Sequence, residues 1–274
     1  MCADHYRVND IEFVMSVESE QHDGLSTANR FVIVKSREMV DELVKRVDGR
    51  EIRNVVDLGI YKGGSCVLYN ELFHPAKLVA IDYHSGANAA LAQYIRERDL
   101  EARIRPYYQV DQADRPALER ICRDEVGGEA LDLVADDASH LYEKSKASFN
   151  FLFPRLRPGG IYAIEDWGWS HWPEEQWQKP VGYFADRVPL SVLVFEIIMA
   201  CASSREGVAR SICVTSSTVY VERGHAVLGD DFDVGRSYLA QGKPWGPERT
   251  TKKRSQLRRL WDRVAAWAAR PPEG

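Results

Sequence analysis

At 274 residues the chain is long enough for one large domain or two small ones, and it can bury a substantial core. Its 45% hydrophobic and 28% charged content suit a globular protein, and a net charge of −5 gives no general reason to expect nucleic acid as a partner. The N-terminus MCADHYRVNDIEF lacks the apolar core of a signal peptide, and the run from Val188 to Ala202 contains Glu196 and is too short to span a bilayer. With five scattered cysteines and no C-x-x-C spacing, reduced thiols, a cytoplasmic location and no membrane insertion are expected.

In chain order, residues 1–50 read as a helical lead-in, with SREMVDELVKRV as an amphipathic helix. Residues 51–225 then alternate short apolar runs with stretches of helical spacing. The runs NVVDLG (from Asn54), KLVAIDY (from Lys77), RIRPYYQV (from Arg103), LDLVAD (from Leu131) and GIYAIED (from Gly160) read as strands buried on both faces. After an apolar helix from Leu190 to Ser203, ARSICVTSSTVYVERG reads as two strands around a Ser-Ser turn. The pattern predicts an α/β fold: a doubly wound, mostly parallel seven-stranded Rossmann-like sheet with a C-terminal antiparallel hairpin. Residues 226–274 form an extension in which Leu257, Leu260, Trp261, Val264 and Ala268 share one face of a basic amphipathic helix. That helix reads as a tail packed on its own domain or on a dimer mate, or as a contact for an anionic partner.

The segment VVDLGIYKGGS follows the first strand and opens a helix. Asp57 falls at the strand end, Gly59 and Gly63 allow a tight turn and a close ligand approach, and Asp82 stands at the next strand tip, where it can accept hydrogen bonds from ribose hydroxyls. The spacing G-x-x-x-G-G is not the G-x-G-x-x-G of dinucleotide enzymes, which counts against an NAD oxidoreductase. The motif D-x-G-x-x-x-G-G-S ending at Ser65, the second-strand Asp82, VDQAD, DD and the late hairpin together resemble a class I S-adenosylmethionine-dependent methyltransferase over roughly residues 50–225. The resemblance implies that Gly59 and Gly63 lie near the methionine part of the cofactor, with Asp57 and Ser65 also among the cofactor-binding residues. It also implies that Asp82 holds the ribose and that Asp111 and Gln112 flank the adenine, while Asp136 faces the cofactor or caps the next helix.

Asp137 follows the fourth strand, and Glu165 and Asp166 follow the fifth. Parallel strands deliver these carboxylates to one edge, where they repel each other unless a cation is present; all-oxygen donors suit Mg²⁺ or Mn²⁺. His140 lies one helical turn beyond Asp137. The set D-D-x-S-H followed by E-D is similar to that of the magnesium-dependent sugar O-methyltransferases of actinobacteria. This implies Asp137, Glu165 and Asp166 as metal ligands, His140 as the catalytic base, and a sugar hydroxyl as the methyl acceptor. In size and layout the chain is nearest to those acting on methylmannose polysaccharides, implying mannoside 1-O-methylation; a macrolide or deoxysugar acceptor is the alternative within the group.

The stretch EDWGWSHWPEEQW places Trp167, Trp169 and Trp172 directly after the expected ligands, and residues 167–185 read as an aromatic lid. Indoles suit the C–H face of a sugar ring, so these three, with His171 on a substrate hydroxyl, are the expected substrate-binding residues. A lid packed on the domain or on a second subunit stays open beside that reading, and a homodimer is expected. Two other functions stay open: transfer to a catechol-like phenol, which ionises readily and has less need of His140, and a non-catalytic cofactor-binding scaffold.

Overall fold

The computed structural model describes residues 4–15, 26–179, 181–204 and 207–238. Five strands supply the parallel part of one sheet: β4 (Asn54–Leu58), β5 (Lys77–Ile81), β6 (Ile104–Tyr107), β7 (Leu131–Asp136) and β8 (Leu156–Glu165). The hairpin β9 (Ala209–Val214) and β10 (Thr218–Arg223) completes it, in the order β6-β5-β4-β7-β8-β10-β9, with β10 antiparallel to both neighbours. Strands β4 and β7 are buried at every position, as their unbroken apolar runs require. Helices α2 (Gly64–Phe73), α3 (Ala89–Glu97), α4 (Arg115–Val126), α5 (Tyr142–Leu152) and α7 (Ser191–Ser203), with the short α6 (Glu175–Gln178), complete the layers. Two apolar cores result, one on each face of the sheet.

The first fifty residues depart from the helical lead-in read from sequence. Among the described residues of this stretch only α1 (Arg37–Val47) is helical; ahead of it lies a three-stranded sheet of β1 (Asp4–Val8), β2 (Ile11–Met15) and β3 (Arg30–Ile33). Strands β1 and β2 form a hairpin about Asn9 and Asp10, with Asn9 in the left-handed region at φ 54°. Asn is among the residues that tolerate such a conformation, and a two-residue turn of this kind matches the twist of a hairpin. Ile11, Phe13 and Met15 alternate onto the core, as do Phe31 and Ile33, each buried apolar side chain contributing roughly 1.5–3 kcal/mol. Gly64 lets this sheet dock on the N-terminus of α2: a Cβ there would stand 2.3 Å from the carbonyl oxygen of Val32. The predicted basic helix lies outside the described residues.

The register of the sheet arranges the site. Tyr107, Ile81, Leu58, Asp136 and Ile164 form one row across five strands. The residues one step beyond the row in four of these strands are Asp82, Gly59, Asp137 and Glu165. Strand order reverses between β4 and β7, so Gly59 and Asp137 flank the topological switch point, where open α/β sheets bind their ligands.

Candidate active site

The glycine loop and the β7 loop meet at Gly59. Its φ is 104°, and a Cβ there would lie 2.2 Å from the main-chain oxygen of Asp137, so only glycine fits. Gly63, with φ 81°, is the N-cap of α2. Asp82 is braced against the loop: one carboxylate oxygen accepts from the amides of Ile60 (2.8 Å) and Tyr61 (3.0 Å), the other from that of His84 (2.7 Å). Asp57 is fully buried, accepts from the Ser65 hydroxyl at 2.8 Å, and keeps its second oxygen without a partner among the described residues. Burial pushes its carboxyl up to about 7, against the pull of the Ser65 bond.

Two residues expected on the cofactor are instead spent inside the domain. Asp136 is 2% exposed and accepts from Gln112 Nε2, the Ser148 hydroxyl and the Tyr162 hydroxyl, at 3.0–3.2 Å. Gln112 is also buried, and its carbonyl oxygen receives the amide of Ser139. The reason is strand alternation: Asp136 shares a face with Val134, and that face points into the layer of α4 and α5. Asp111 does lie on the surface side, paired with Lys144 at 2.6 Å.

Asp137, His140 and Asp166 gather with ligand atoms within 4.8 Å of one another. His140 Nε2 faces Asp137 Oδ1 at 3.9 Å. His140 (φ 54°) and Asp166 (φ 51°) both hold left-handed backbone conformations, costing about 1–3 kcal/mol each, a kind of strain that collects at functional sites. Glu165 stands apart from this group. Its buried carboxylate binds the ammonium of Lys35, whose Nζ is also 2.8 Å from Asp137 Oδ2. Burial raises the pKa of Glu165 and of Asp166, with repulsion from Asp137 adding to both. Burial works against the Lys35 ammonium, yet Asp137 and Glu165 outweigh it and hold its pKa well above the ordinary lysine value.

Lys35 has no precedent in the sequence motifs, because it reaches the site by tertiary docking of the small sheet rather than by local spacing. It follows β3 and directly precedes Ser36, whose hydroxyl accepts from the amide of Met39 as the N-cap of α1. Three carboxylates face one ammonium at this edge, and their donors are hard oxygens. That composition fits a divalent cation such as Mg²⁺.

The aromatic segment is folded onto the domain. Trp169 is 3% exposed and packs on Phe184 at 4.4 Å, and Trp172 and Trp177 meet edge to face at 5.0 Å. Trp169 therefore has no open face for a sugar ring, contrary to the expectation for it; Trp167 and Trp172 are only partly buried. The Trp167 indole donates to Thr215, and His171 Nε2 lies 3.0 Å from the Ser191 hydroxyl. Cavities of about 710 and 520 Å³ open at the opposite end of the sheet, beside Leu131 and Asn54, and none of their lining residues belongs to the carboxylate group.

A family model described as a methyltransferase domain matches residues 56–167. The mycinamicin VI 2''-O-methyltransferase of Micromonospora griseorubida is 34% identical over 135 residues, covering 45% of this chain and 30% of that protein. The 8-demethyl-8-alpha-L-rhamnosyl tetracenomycin-C 2'-O-methyltransferase of Streptomyces olivaceus is 35% identical over 114 residues, 42% of this chain and 26% of that one. The chain thus matches less than a third of the length of either relative. The solved MycE methyltransferase of the mycinamycin pathway, in complex with Mg, SAH and mycinamycin VI, is 25% identical with a TM-score of 0.49, over 76% of this chain and 51% of that one. The methyltransferase-domain match takes in the glycine loop, Asp82, Asp137, His140, Glu165 and Asp166; Lys35 and Trp169 fall outside it.

Proposed function

We propose that the protein is an S-adenosylmethionine- and Mg²⁺-dependent O-methyltransferase that methylates a sugar hydroxyl of a glycosylated metabolite or oligosaccharide. The observation that carries this reading is the meeting of Asp137, His140 and Asp166 beside the glycine loop at the switch point of the sheet. The names of two relatives, 2''-O- and 2'-O-methyltransferases of a mycinamicin and of a rhamnosyl tetracenomycin, support a glycoside acceptor.

In this reading Gly59, Gly63 and Asp82 shape the cofactor cleft, with Asp57 and Ser65 beneath it and Asp111 at its rim. Asp137 and Asp166, with Glu165, would hold the cation, which when bound lowers the pKa of a chelated hydroxyl. His140 Nε2, which faces Asp137, would take the proton of the acceptor hydroxyl, and the site residues would hold that oxygen toward the cofactor cleft. Trp167, Trp172 and His171 lie on the segment that would meet the sugar.

A deoxysugar or macrolide glycoside is the first substrate class to test. A mannoside methylated at position 1, as the sequence resemblance implies, is the second. A homodimer and a cytoplasmic location belong to the same proposal, and no described helix is long and apolar enough to cross a membrane. A methyl-transfer assay over deoxysugar glycosides, mannosides and a catechol, with and without EDTA, tests the reading. Transfer to the catechol alone would reverse the acceptor class.

A further inference from the structure

Lys35 was invisible as a functional residue in the sequence and lies outside the methyltransferase-domain match, yet its ammonium sits among the site's carboxylates. The side chain is 5% exposed. An ammonium withdrawn from water is costly unless paired, and its partners here are Asp137 Oδ2 and Glu165 Oε2. Lys35 thereby divides Asp137: one oxygen is committed to the ammonium, and the other faces His140. Its backbone is pinned on both sides, by the parallel pairing of β3 with β2 and by the Ser36 cap of α1. The phenol of Tyr69 is fully buried in the same surroundings. Against the three carboxylates of Asp137, Glu165 and Asp166 the ammonium sets one positive charge, paired directly with two of them.

We propose that Lys35 is a charge-setting positioning residue of the cation site. It holds Asp137 and Glu165 by one oxygen each and lowers the negative charge offered to the ion, favouring a divalent over a trivalent one. This rests on the reading of the carboxylate group as a cation site. Removing a fixed positive charge a few ångströms from a bound ion favours the more highly charged ion, whatever else the substitution does to affinity.

The test uses the full chain, Mn²⁺ binding followed by electron paramagnetic resonance, and displacement of Mn²⁺ by Tb³⁺. In Lys35→Met the Tb³⁺ to Mn²⁺ affinity ratio should rise by at least about tenfold over wild type. Lys35→Arg, which keeps the charge, should stay within about threefold of the wild-type ratio. A cooperative thermal melt confirms that each variant is folded; should Lys35→Met fail it, Lys35→Gln, uncharged but still a donor, carries the same expectation. An unchanged ratio in the uncharged variant, with Mn²⁺ still bound through Asp137, overturns the inference alone. Absence of Mn²⁺ binding in the wild type, or binding that survives Asp137→Asn, overturns the cation-site reading and the inference with it.

Discussion

The indole N–H of Trp169 donates to the main-chain carbonyl of His140 at 2.9 Å, joining the aromatic segment to the turn that carries the proposed base. Tyr183, from the same segment, donates its hydroxyl to the carbonyl of Ser139 at 3.3 Å. Two adjacent carbonyls of a strained turn are therefore gripped from outside. Trp169→Phe keeps the ring in its buried position but leaves a carbonyl without its donor, at a cost of about 1–3 kcal/mol. Turnover should fall by roughly tenfold or more as His140 loses its orientation, with S-adenosylhomocysteine affinity unchanged. Steady-state kinetics beside calorimetry of the cofactor product checks this; a kcat equal to wild type would remove Trp169 from the positioning of His140.

His140 itself should matter most for an acceptor with a high pKa. His140→Ala should lower methyl transfer to a glycoside by about 10²–10⁴-fold while cofactor binding is retained. With a phenolic acceptor, which ionises more readily, the loss should be much smaller. Comparing the two acceptors in one variant separates a base from a residue that only maintains the fold.

The sheet was legible in the sequence because β4, β5, β7 and the second half of β8 are buried on both faces and read as mostly apolar runs, and the hairpin because Ser216 and Ser217 separate two β-rich stretches. The N-terminal sheet was overlooked although Ile11, Phe13 and Met15 alternate, since two four- to five-residue strands leave little periodic signal beside an eleven-residue helix. Asp137, His140 and Asp166 could be expected to meet because the strand ends bring them to one edge. Asp136 turns inward by strand alternation, which assigns neighbouring aspartates to opposite faces and was available from the sequence; Gln112, in the loop after β6, turns in to bond it, which no local pattern signals. Lys35 was not available, since nothing in VIVKSRE predicts that β3 docks beside α2. Trp169 looked like a sugar platform because indole chemistry suits both a substrate face and a buried cluster.

Gly59 should tolerate no side chain. In Gly59→Ala the new methyl would need the space of the Asp137 carbonyl, 2.2 Å away, in a backbone conformation that L residues rarely adopt. The expected loss is about 3 kcal/mol or more in urea unfolding, together with loss of cofactor-product binding. Near-native stability would mean that the two loops separate without cost.

The buried Asp57 should give the protein a stability that declines toward alkaline pH. Burial raises its folded-state value to about 7, above the ordinary 3.8, so the native state holds a proton that the unfolded chain releases first. Its contribution is present in acid and is lost as pH rises from about 4 through about 7. Between pH 5 and 8 the loss from this group is on the order of 2–3 kcal/mol. Asp57→Asn, which still accepts from Ser65, should flatten the decline by that amount in paired urea titrations. Parallel curves for variant and wild type would show that Asp57 is ionised throughout.

Methyl transfer from S-adenosylmethionine to a glycoside, measured with EDTA, then with Mg²⁺ restored, and repeated with Asp137→Asn, bears most directly on the central claim. We expect transfer that EDTA abolishes, that Mg²⁺ restores in the wild type, and that Mg²⁺ does not restore in the variant. Glycoside methylation that proceeds undiminished in EDTA, or in Asp137→Asn, would contradict it.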